Sequence, residues 1–347
     1  MLHIRCSGTP YEIGYHHGTI ARELVAGSLQ FYRQYFLSKS RMDWDTAKSH
    51  AVKFLPVLEK DWNHYVEEMR GIADGSGHTF EDILAINVRT EISMGLMADG
   101  CTAFYWHDRD NSIAAQNWDW ERAQRDNLIA LDIQQNNRPE ISQITEAGII
   151  GKIGLNSAGV SVTLNAIRAR GVDFNRLPTH LALRAIMDST SRKEAVDTLT
   201  KSGLAASCHL LIGDSTGGTG LECSSGDVLH LETKDGKLTH ANHFYVPHAN
   251  NIKEAVFLPD SPYRARRIDE LLEAATKGGQ PITVSVAERI LEDKGNYPAA
   301  INRASSETSA VETLFSIVMD HASRTASVRM GRPTEAFESF IMRPGTS

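Results

Sequence analysis

The sequence lacks long apolar segments and an excess of positive charge. Its start, MLHIRCSG, has no apolar core of about 7–15 residues like that of a secretory signal, and no stretch approaches the roughly 18 apolar residues of a membrane span. Lys and Arg number 36 against 43 Asp and Glu, which gives a net charge of −7. Because nucleic-acid binding needs clustered cations, this balance argues against a general phosphate-binding surface. We therefore expect neither a nucleic-acid nor a membrane partner.

Cysteine is scarce, and its spacing does not suggest a metal site. The four cysteines, at positions 6, 101, 208 and 223, are far apart, so we interpret them as reduced thiols in a cytosolic setting. Three histidines lie closer together: His240, His243 and His248. Their spacings of three and five residues do not form a helical metal-binding face. We expect neither a metal ion nor another cofactor.

Size and composition are those of an ordinary globular protein. With 347 residues, 41% of them hydrophobic and 23% charged, the chain can bury a sizeable core. Length alone suggests two domains, but a single intertwined domain is also compatible with it. The sequence contains no internal repeat and no low-complexity segment.

A hairpin is predicted immediately after Cys101. Residues 102–106 are β-branched and aromatic, HDRDN is typical of a turn, and residues 112–118 form a second candidate strand. If the turn centres near Arg109 or Asp110, antiparallel pairing sets Cys101 opposite Trp118 or Asp119. A slip of one residue would exchange the faces of the strand. The pattern predicts a thiol and a carboxylate at one end of one sheet.

The Gly100-Cys101 pair at a strand start suggests self-cleavage. Glycine has no Cβ, so it can hold the strained backbone that a thiol must attack. Attack on the Gly100 carbonyl, followed by hydrolysis of the thioester, would leave Cys101 as an N-terminal residue. Its free α-amine, with a reference pKa near about 7.7, could then accept the thiol proton. The alternative is an inert cysteine buried in the core.

A cysteine–histidine dyad is a second mechanism that the residues leave open. A histidine can activate a cysteine without chain cleavage, and His107 and His243 are the candidate bases. Neither histidine lies in a local pattern of the known dyad families.

The first hundred residues are predicted to be mainly helical, with two apolar stripes that need a partner surface. Thr79 and Asp82 resemble a capping box for a further helix that reaches about Glu91. The segment 93–100 is then the candidate processing linker. The stripes consist of Ile13, Ile20, Leu24 and Phe31 in the first helical region and Ala47, Ala51, Phe54, Leu58, Trp62, Tyr65 and Met69 in the second.

After the hairpin, runs of strands are separated by paired helices. This order favours an α+β fold with two mainly antiparallel sheets between helical layers. The predicted strands cover 128–134, 141–146, two within 148–165, 208–213, 220–223, 228–232, 238–242, 313–319 and 325–330, and the predicted helices cover 178–204, 263–276 and 284–292.

Several longer motifs occur in a fixed order along nearly the whole chain. They are MLHIRCSGTPYEIGYHHG, DGCTA, QNWD, ITEAGIIGKIGLNSAGV, ANH, NYP and TLFSIVMDHASRTASVRMGRP. Together they resemble the acyl-coenzyme A:6-aminopenicillanate acyltransferase (isopenicillin N acyltransferase) family. The resemblance implies an N-terminal-nucleophile hydrolase with an αββα sandwich. It also implies cleavage into a helical chain 1–100 and a catalytic chain 101–347 that stay intertwined as one domain.

The resemblance also assigns candidate site residues. It implies that Asn242, in THANHF, is the oxyanion-hole donor and that Asp119, in QNWD, is a carboxylate lining the site and holding an amine. The penicillin-forming members carry an arginine just before TLF, whereas this sequence has Ser309 and Ala310 in that stretch. Arg303 is the nearest alternative arginine, so we expect Arg303 and Ser309 to contact substrate.

The expected function is a self-cleaving acyltransferase or amidohydrolase that forms an acyl-Cys101 thioester and passes the acyl group to an amine or water. Its partners would be small molecules: an acyl amide, with an acyl-coenzyme A or a β-lactam amine as further candidates. Because Ala310 replaces the arginine, penicillin formation should be weak. One alternative is a hydrolase of small amino-acyl amides without β-lactam or coenzyme A activity, and another is an uncleaved, silent homologue. The ending RPGTS differs from a Ser-Lys-Leu-like peroxisomal signal, so we expect a cytoplasmic protein.

Overall fold

Two β-sheets face each other and helices cover their outer sides in the computed structural model, which describes residues 1–93, 100–108 and 111–345. Within these residues one sheet has eight strands, in the order β1-β4-β5-β6-β7-β8-β9-β10. Its strands are β1 Leu2–Gly8, β4 Leu128–Gln135, β5 Ile141–Glu146, β6 Ile153–Asn156, β7 Ser161–Ala166, β8 Cys208–Asp214, β9 Gly217–Cys223 and β10 Val228–Glu232.

The second sheet contains six strands in the described part of the chain, in the order β11-β2-β3-β12-β13-β14. Neighbouring strands in this sheet are antiparallel. They are β2 Thr102–His107, β3 Ser112–Glu121, β11 Lys237–His240, β12 Val311–Asp320, β13 Thr325–Met330 and β14 Glu338–Met342.

The predicted hairpin is confirmed as the pair β2 and β3. Thr102 lies opposite Asn117, so one further step of the same register sets Cys101 beside Trp118, the residue before Asp119. Cys101 itself precedes the first residue of β2. The centre of the predicted turn, at residues 109–110, lies outside the described residues.

The helices divide between the two outer faces. Nine of those described, α1 to α9, belong to the side of the larger sheet, while α10 and α11 pack on β2, β3, β11 and β12. They are α1 Pro10–Ile20, α2 Arg22–Tyr35, α3 Trp44–Ala51, α4 Leu55–Asp61, α5 Asn63–Ser76, α6 Phe80–Asn87, α7 Arg89–Ile92, α8 Thr179–Met187, α9 Arg192–Ser202, α10 Asp260–Ala275 and α11 Val284–Leu291.

The first segment is not only helical, because it also provides a strand. Residues 2–8 form β1, which pairs in parallel with β4, while the other pairings in that sheet are antiparallel. Ile4 and Cys6 of β1 are buried, as expected for alternate residues on one face of a strand. The segment before Cys101 therefore contributes hydrogen bonds to a sheet whose other strands come from later in the chain.

The helical predictions for this segment hold in part. Thr79 and Asp82 form the predicted capping box, which is confirmed by reciprocal hydrogen bonds. Ile20 does not belong to a buried face, since it is 51% exposed at the end of α1. The second stripe is divided among α3, α4 and α5 rather than lying on one helix. Most of the predicted processing linker, residues 94–99, lies outside the described residues.

The core occupies two layers. The larger hydrophobic cluster joins the two sheets to α1–α9, and a smaller one, with Phe104, Ile268 and Leu291, fills the space between the six-stranded sheet and the last two helices. The architecture is thus α+β, with two sheets between helical layers, as predicted. Among the described residues no helix is long and apolar enough to cross a membrane.

Candidate active site

The backbone of Cys101 is held on both sides by polar side chains. Its N–H donates to Asn242 Oδ1 at 2.9 Å, and its carbonyl oxygen accepts from Arg264 Nη1 at 2.7 Å. Arg264 also donates to Thr102 Oγ1 at 2.9 Å. Cys101, Asn242 and Arg264 are 0%, 2% and 0% exposed, so these bonds are protected from competition with bulk water. The backbone of Cys101 is therefore fixed just before β2.

Asn242 lies two residues beyond the end of β11, close to its predicted place at a strand end. Its Oδ1 accepts from both Cys101 N–H and Arg264 Nη2, the latter at 2.8 Å, while its Nδ2 donates to the carbonyl oxygen of Ala166 at 3.0 Å. Two donors on one side and an acceptor on the other define the orientation of the side-chain amide. The amide therefore turns its oxygen toward Cys101 N–H.

Asp260 joins two arginines into one network. Its Oδ2 accepts from Arg264 Nε at 2.8 Å, a helical i,i+4 pair, and from Arg303 Nη2. Burial opposes ionisation of this carboxyl, but Arg264 and Arg303 outweigh burial and lower its pKa. An ionised Asp260 therefore links the residue that holds Cys101 with the arginine that reaches Asp119.

Asp119 is fully buried and hydrogen-bonded through both oxygens. Thr313, its direct cross-strand partner on β12, donates to Oδ1 at 2.7 Å, and Arg303 Nε donates to Oδ2 at 3.1 Å. Burial raises the pKa of Asp119 to about 7, with Arg303 and Arg264 acting in the opposite direction. A carboxyl whose pKa lies near neutral pH is typical of functional sites.

Gly100 lies directly against the Arg303 guanidinium. A Cβ built on Gly100 would come within 2.7 Å of Arg303 Nε and 2.8 Å of Nη2. Both distances are shorter than a non-bonded contact allows, so a side chain here would force the Arg303 guanidinium, which donates to Asp119 and Asp260, to shift. The arginine thus lies beside the residue that precedes Cys101, and it reaches Asp119 and Asp260 from there.

The structure places Ser309 and Ala310 in the turn that precedes β12. The backbone of Ser309 exchanges hydrogen bonds with Ser306, and its hydroxyl accepts from Val311 N–H at 3.3 Å. Ala310 is exposed, and its carbonyl oxygen accepts from Arg122 N–H. The hydrogen bonds described for Ser309 are local, in contrast to those of Arg303.

The candidate histidine bases differ in position. His107 is the last residue of β2, so a strand of six residues, roughly 20 Å, separates it from Cys101. His243 Nδ1 lies 2.8 Å from Ser261 Oγ, and burial is the main cause of its lowered pKa. Among the described residues no group of three or more His, Cys, Asp or Glu side chains is arranged to hold a metal ion.

The sequence interpretation missed Arg264, Asp260 and Thr313. Arg264 lies in the charged run YRARR, and its i,i+4 spacing from Asp260 is the pattern of an ordinary exposed helix pair. No local signal distinguishes this arginine from its exposed neighbours. Thr313 could have been found from the register, since pairing β12 with β3 sets it opposite Asp119.

Comparison with solved structures defines the class of the fold. Two variants of conjugated bile acid hydrolase from Clostridium perfringens superpose with TM-scores of 0.51 and 0.52 at 13% and 14% identity. Each comparison covers 70% of this chain and 92% of the other. With the two facing sheets and their helical layers, this likeness confirms the predicted N-terminal-nucleophile hydrolase fold.

Sequence comparison then gives the family. The family model described as acyl-coenzyme A:6-aminopenicillanic acid acyl-transferase matches residues 106–335. The 40 kDa form of acyl-coenzyme A:6-aminopenicillanic-acid-acyltransferase from Emericella nidulans is 39% identical over 347 residues, which cover 99% of this chain and 96% of the relative. Acid ceramidase of Rattus norvegicus is 25% identical over 58% of this chain and 57% of its own length. The chain belongs to the acyl-coenzyme A:6-aminopenicillanic acid acyl-transferase family, and it is an enzyme of the acyltransferase and amide-hydrolase class.

Proposed function

We propose that the protein cleaves itself between Gly100 and Cys101 and then uses Cys101 as an N-terminal nucleophile in acyl transfer. The observation that supports this proposal is that both backbone polar groups of Cys101, its N–H and its carbonyl oxygen, are hydrogen-bonded to buried side chains. The N–H bound by Asn242 belongs to the peptide bond between Gly100 and Cys101, and Arg264 fixes the next carbonyl along the chain. The nitrogen of the proposed scissile bond and the backbone of the residue that carries the thiol are thus both fixed, which favours attack by that thiol on the neighbouring carbonyl.

The cleavage chemistry balances without a cofactor. The Cys101 sulfur attacks the carbonyl carbon of Gly100, a thioester forms, and the C–N bond breaks while the released amine takes up a proton. Water then hydrolyses the thioester, which restores the thiol and leaves Gly100 as a carboxylate. In later turnovers the new α-amine accepts the thiol proton as sulfur attacks the acyl donor. The acyl-Cys101 thioester passes its acyl group to an amine or to water.

Asn242 is proposed as a donor in the oxyanion hole. A side-chain amide carries two N–H groups, and the Ala166 carbonyl accepts one from Asn242. We assign the second N–H to the oxygen that gains charge in the tetrahedral intermediate. The contact of Oδ1 with Cys101 N–H supports this role, because it keeps the amide beside the nucleophile.

Asp119, Arg303 and Ser309 are proposed to bind substrate. Asp119 and Arg303 form a buried pair of opposite charge beside Gly100, so they can exchange partners with the amine and the carboxylate of a substrate. Ser309 would add a hydroxyl from the turn before β12. After cleavage, chains 1–100 and 101–347 are proposed to stay together as one heterodimer.

A second candidate function follows from Ala310, in the turn before β12. Ala310 carries no charge where penicillin-forming relatives carry an arginine, and this favours hydrolysis of small amino-acyl amides over penicillin formation. A panel with an acyl amide, an acyl-coenzyme A and 6-aminopenicillanate as acceptor separates the two candidates.

The deciding experiment is the intact mass of the purified protein together with N-terminal sequencing. We expect two associated chains, the larger beginning Cys-Thr-Ala-Phe. Cys101→Ala should abolish both cleavage and turnover, whereas Cys6→Ala, at another buried cysteine, should leave cleavage intact. A wild-type chain that stays whole and is still active would overturn the mechanism, and one that stays whole and inactive would indicate a silent homologue.

A further inference from the structure

A buried carboxylate outside the Cys101 network holds both ends of the loop that carries Asn242. Glu222 lies on β9 of the eight-stranded sheet, and the loop spans residues 241–246, directly after β11 of the other sheet. At the start of the loop, Glu222 Oε1 is 2.7 Å from His240 Nε2. At its end, Oε1 accepts from Tyr245 N–H at 2.6 Å and Oε2 accepts from Val246 N–H at 3.2 Å.

The hydrogen bonds of His240 match this arrangement. Its Nδ1 lies 3.0 Å from the Ala241 carbonyl oxygen and its Nε2 faces Glu222, so both ring nitrogens face oxygen acceptors. The ring is also stacked between two others, with His209 at 3.7 Å and Tyr245 at 4.3 Å between ring centroids. His240 therefore has little freedom to turn away from Glu222.

A second histidine also lies near Glu222. The Nε2 of His248 is 3.5 Å from Glu222 Oε2, and its Nδ1 is 2.5 Å from Asp227 Oδ1. Glu222 is 0% exposed, and an ionised carboxylate at such a depth is costly unless it is paired and hydrogen-bonded. The histidines and the two backbone N–H groups thus determine where this side chain can lie.

The loop depends on side chains because it has no regular secondary structure. Within it, Asn242 N–H donates to Ser261 Oγ at 2.7 Å and Phe244 N–H donates to Glu254 Oε1 at 2.7 Å. Buried backbone N–H groups need such partners. Glu222 differs from Ser261 and Glu254, because it contacts the chain on both sides of Asn242.

We propose that Glu222 is a positioning residue that, paired with His240, sets the place of the Asn242 amide relative to Cys101. Glu222 does not touch the reacting atoms, and it acts through the loop. This inference rests on the oxyanion role proposed for Asn242. A displacement of about 1 Å in a catalytic group can lower a rate roughly 100-fold, so a small relaxation of the loop has a large effect on turnover.

The test replaces Glu222 by glutamine, which keeps the size and an acceptor oxygen but removes the charge. With an acyl p-nitrophenyl ester as probe, and turnover expressed per N-terminal cysteine, Glu222→Gln should lower kcat by roughly 10- to 100-fold. KM should stay within about threefold, because substrate-binding groups are not altered. The matched control is Glu254→Gln, a carboxylate outside the loop that accepts from the loop at Phe244 N–H but not on both sides of Asn242, and it should leave kcat within about threefold.

A double-mutant cycle separates positioning from general destabilisation. If Glu222 acts through Asn242, Glu222→Gln should change kcat less than about twofold in the Asn242→Ala background. Equal losses in both backgrounds, or a single variant close to wild type, would overturn the inference. If Asn242→Ala itself retains normal turnover, both the oxyanion role of Asn242 and the positioning role of Glu222 are refuted. If Asn242→Ala loses turnover but Glu222→Gln does not, only the positioning role is refuted. Should Glu222→Gln not fold, His240→Gln is put through the same cycle and judged by the same criteria.

Discussion

Replacing Arg89 by methionine should loosen the hold of the first hundred residues on the rest of the protein. Glu146, buried on β5, accepts hydrogen bonds from four side chains. Arg89 Nη2 lies at 3.0 Å and Gln124 Nε2 at 3.1 Å, and Lys152 and Tyr32 complete the set. Arg89 and Tyr32 precede the proposed cleavage point, whereas the other three residues follow it. The cluster therefore spans the two proposed chains.

The expected magnitude follows from burial. Burial by itself would raise the pKa of Glu146, but Arg89 and Lys152 outweigh it and hold the pKa below its ordinary value. Removing one partner of a buried ion pair costs about 3–5 kcal/mol when the remaining charge is left unpaired. Because Lys152 stays paired with Glu146, we expect the lower end of that range, about 3 kcal/mol, which corresponds to roughly a 150-fold weaker association of the two chains. A carboxyl whose pKa is lowered in the folded protein stabilises the fold at any pH above the ordinary pKa of glutamate, and this stabilisation is lost as the pH falls through the lowered pKa. In the variant the pKa of Glu146 is lowered less. Its chains should therefore dissociate at a higher pH than those of wild type when the solution is acidified.

The assay measures release of the small chain from cleaved protein. Size-exclusion chromatography detects this release in a series of urea concentrations and, separately, in a series of pH values. Arg329→Met is the control, because Arg329 pairs with Glu288 and Glu292, which both lie in the proposed large chain. It should shift the release midpoint far less than Arg89→Met does. Release of the Arg89→Met chain at the same urea concentration as wild type would show that this cluster does not hold the chains together.

Three further outcomes are expected at the active site. Gly100→Ala should slow self-cleavage severely on a denaturing gel, because its Cβ would lie 2.7 Å from Arg303 Nε, and cleavage at the normal rate would exclude that close approach. For Asp119, a pKa of about 7 means that the ionised fraction rises from roughly 10% at pH 6 to 90% at pH 8. The pH profile of kcat/KM should therefore rise through neutrality in wild type, and Asp119→Asn should lose that component; an unchanged profile would contradict the assignment. Ala310→Arg should raise transfer to 6-aminopenicillanate by about 10- to 150-fold while leaving a simple acyl amide unaffected, and equal gains on both would argue against carboxylate recognition.

The hairpin could be predicted, and its register to within one residue, because local information largely determines them. A run of β-branched and aromatic residues, a polar turn and a second strand set Cys101 opposite Trp118 or Asp119, and the structure selects Trp118. The capping box at Thr79 is equally local. The position of Asn242 came instead from motif resemblance, since a turn asparagine has no intrinsic catalytic signature.

Other parts of the fold depend on distant partners and could not be predicted. The strand β1 pairs in parallel with β4, more than a hundred residues later in the chain, and parallel pairing leaves no turn signal in the sequence. Ile20 fits an apolar helical pattern, yet the helix ends there and exposes it. Arg264 becomes a site residue only because α10 packs beside the start of β2. Tertiary packing, rather than local pattern, decides each of these cases.

The hydrogen bonds to the Cys101 backbone make the proposed cleavage dependent on completed folding. Asn242 and Arg264 lie 141 and 163 positions further along the chain, so they reach Cys101 only when the two sheets and α10 have assembled. A chain still emerging from the ribosome, or one that has misfolded, lacks these contacts and keeps its peptide bond intact. Cleavage would then occur only in molecules that have completed folding. The cleaved fraction in a cell extract would therefore measure the folding yield without any activity assay.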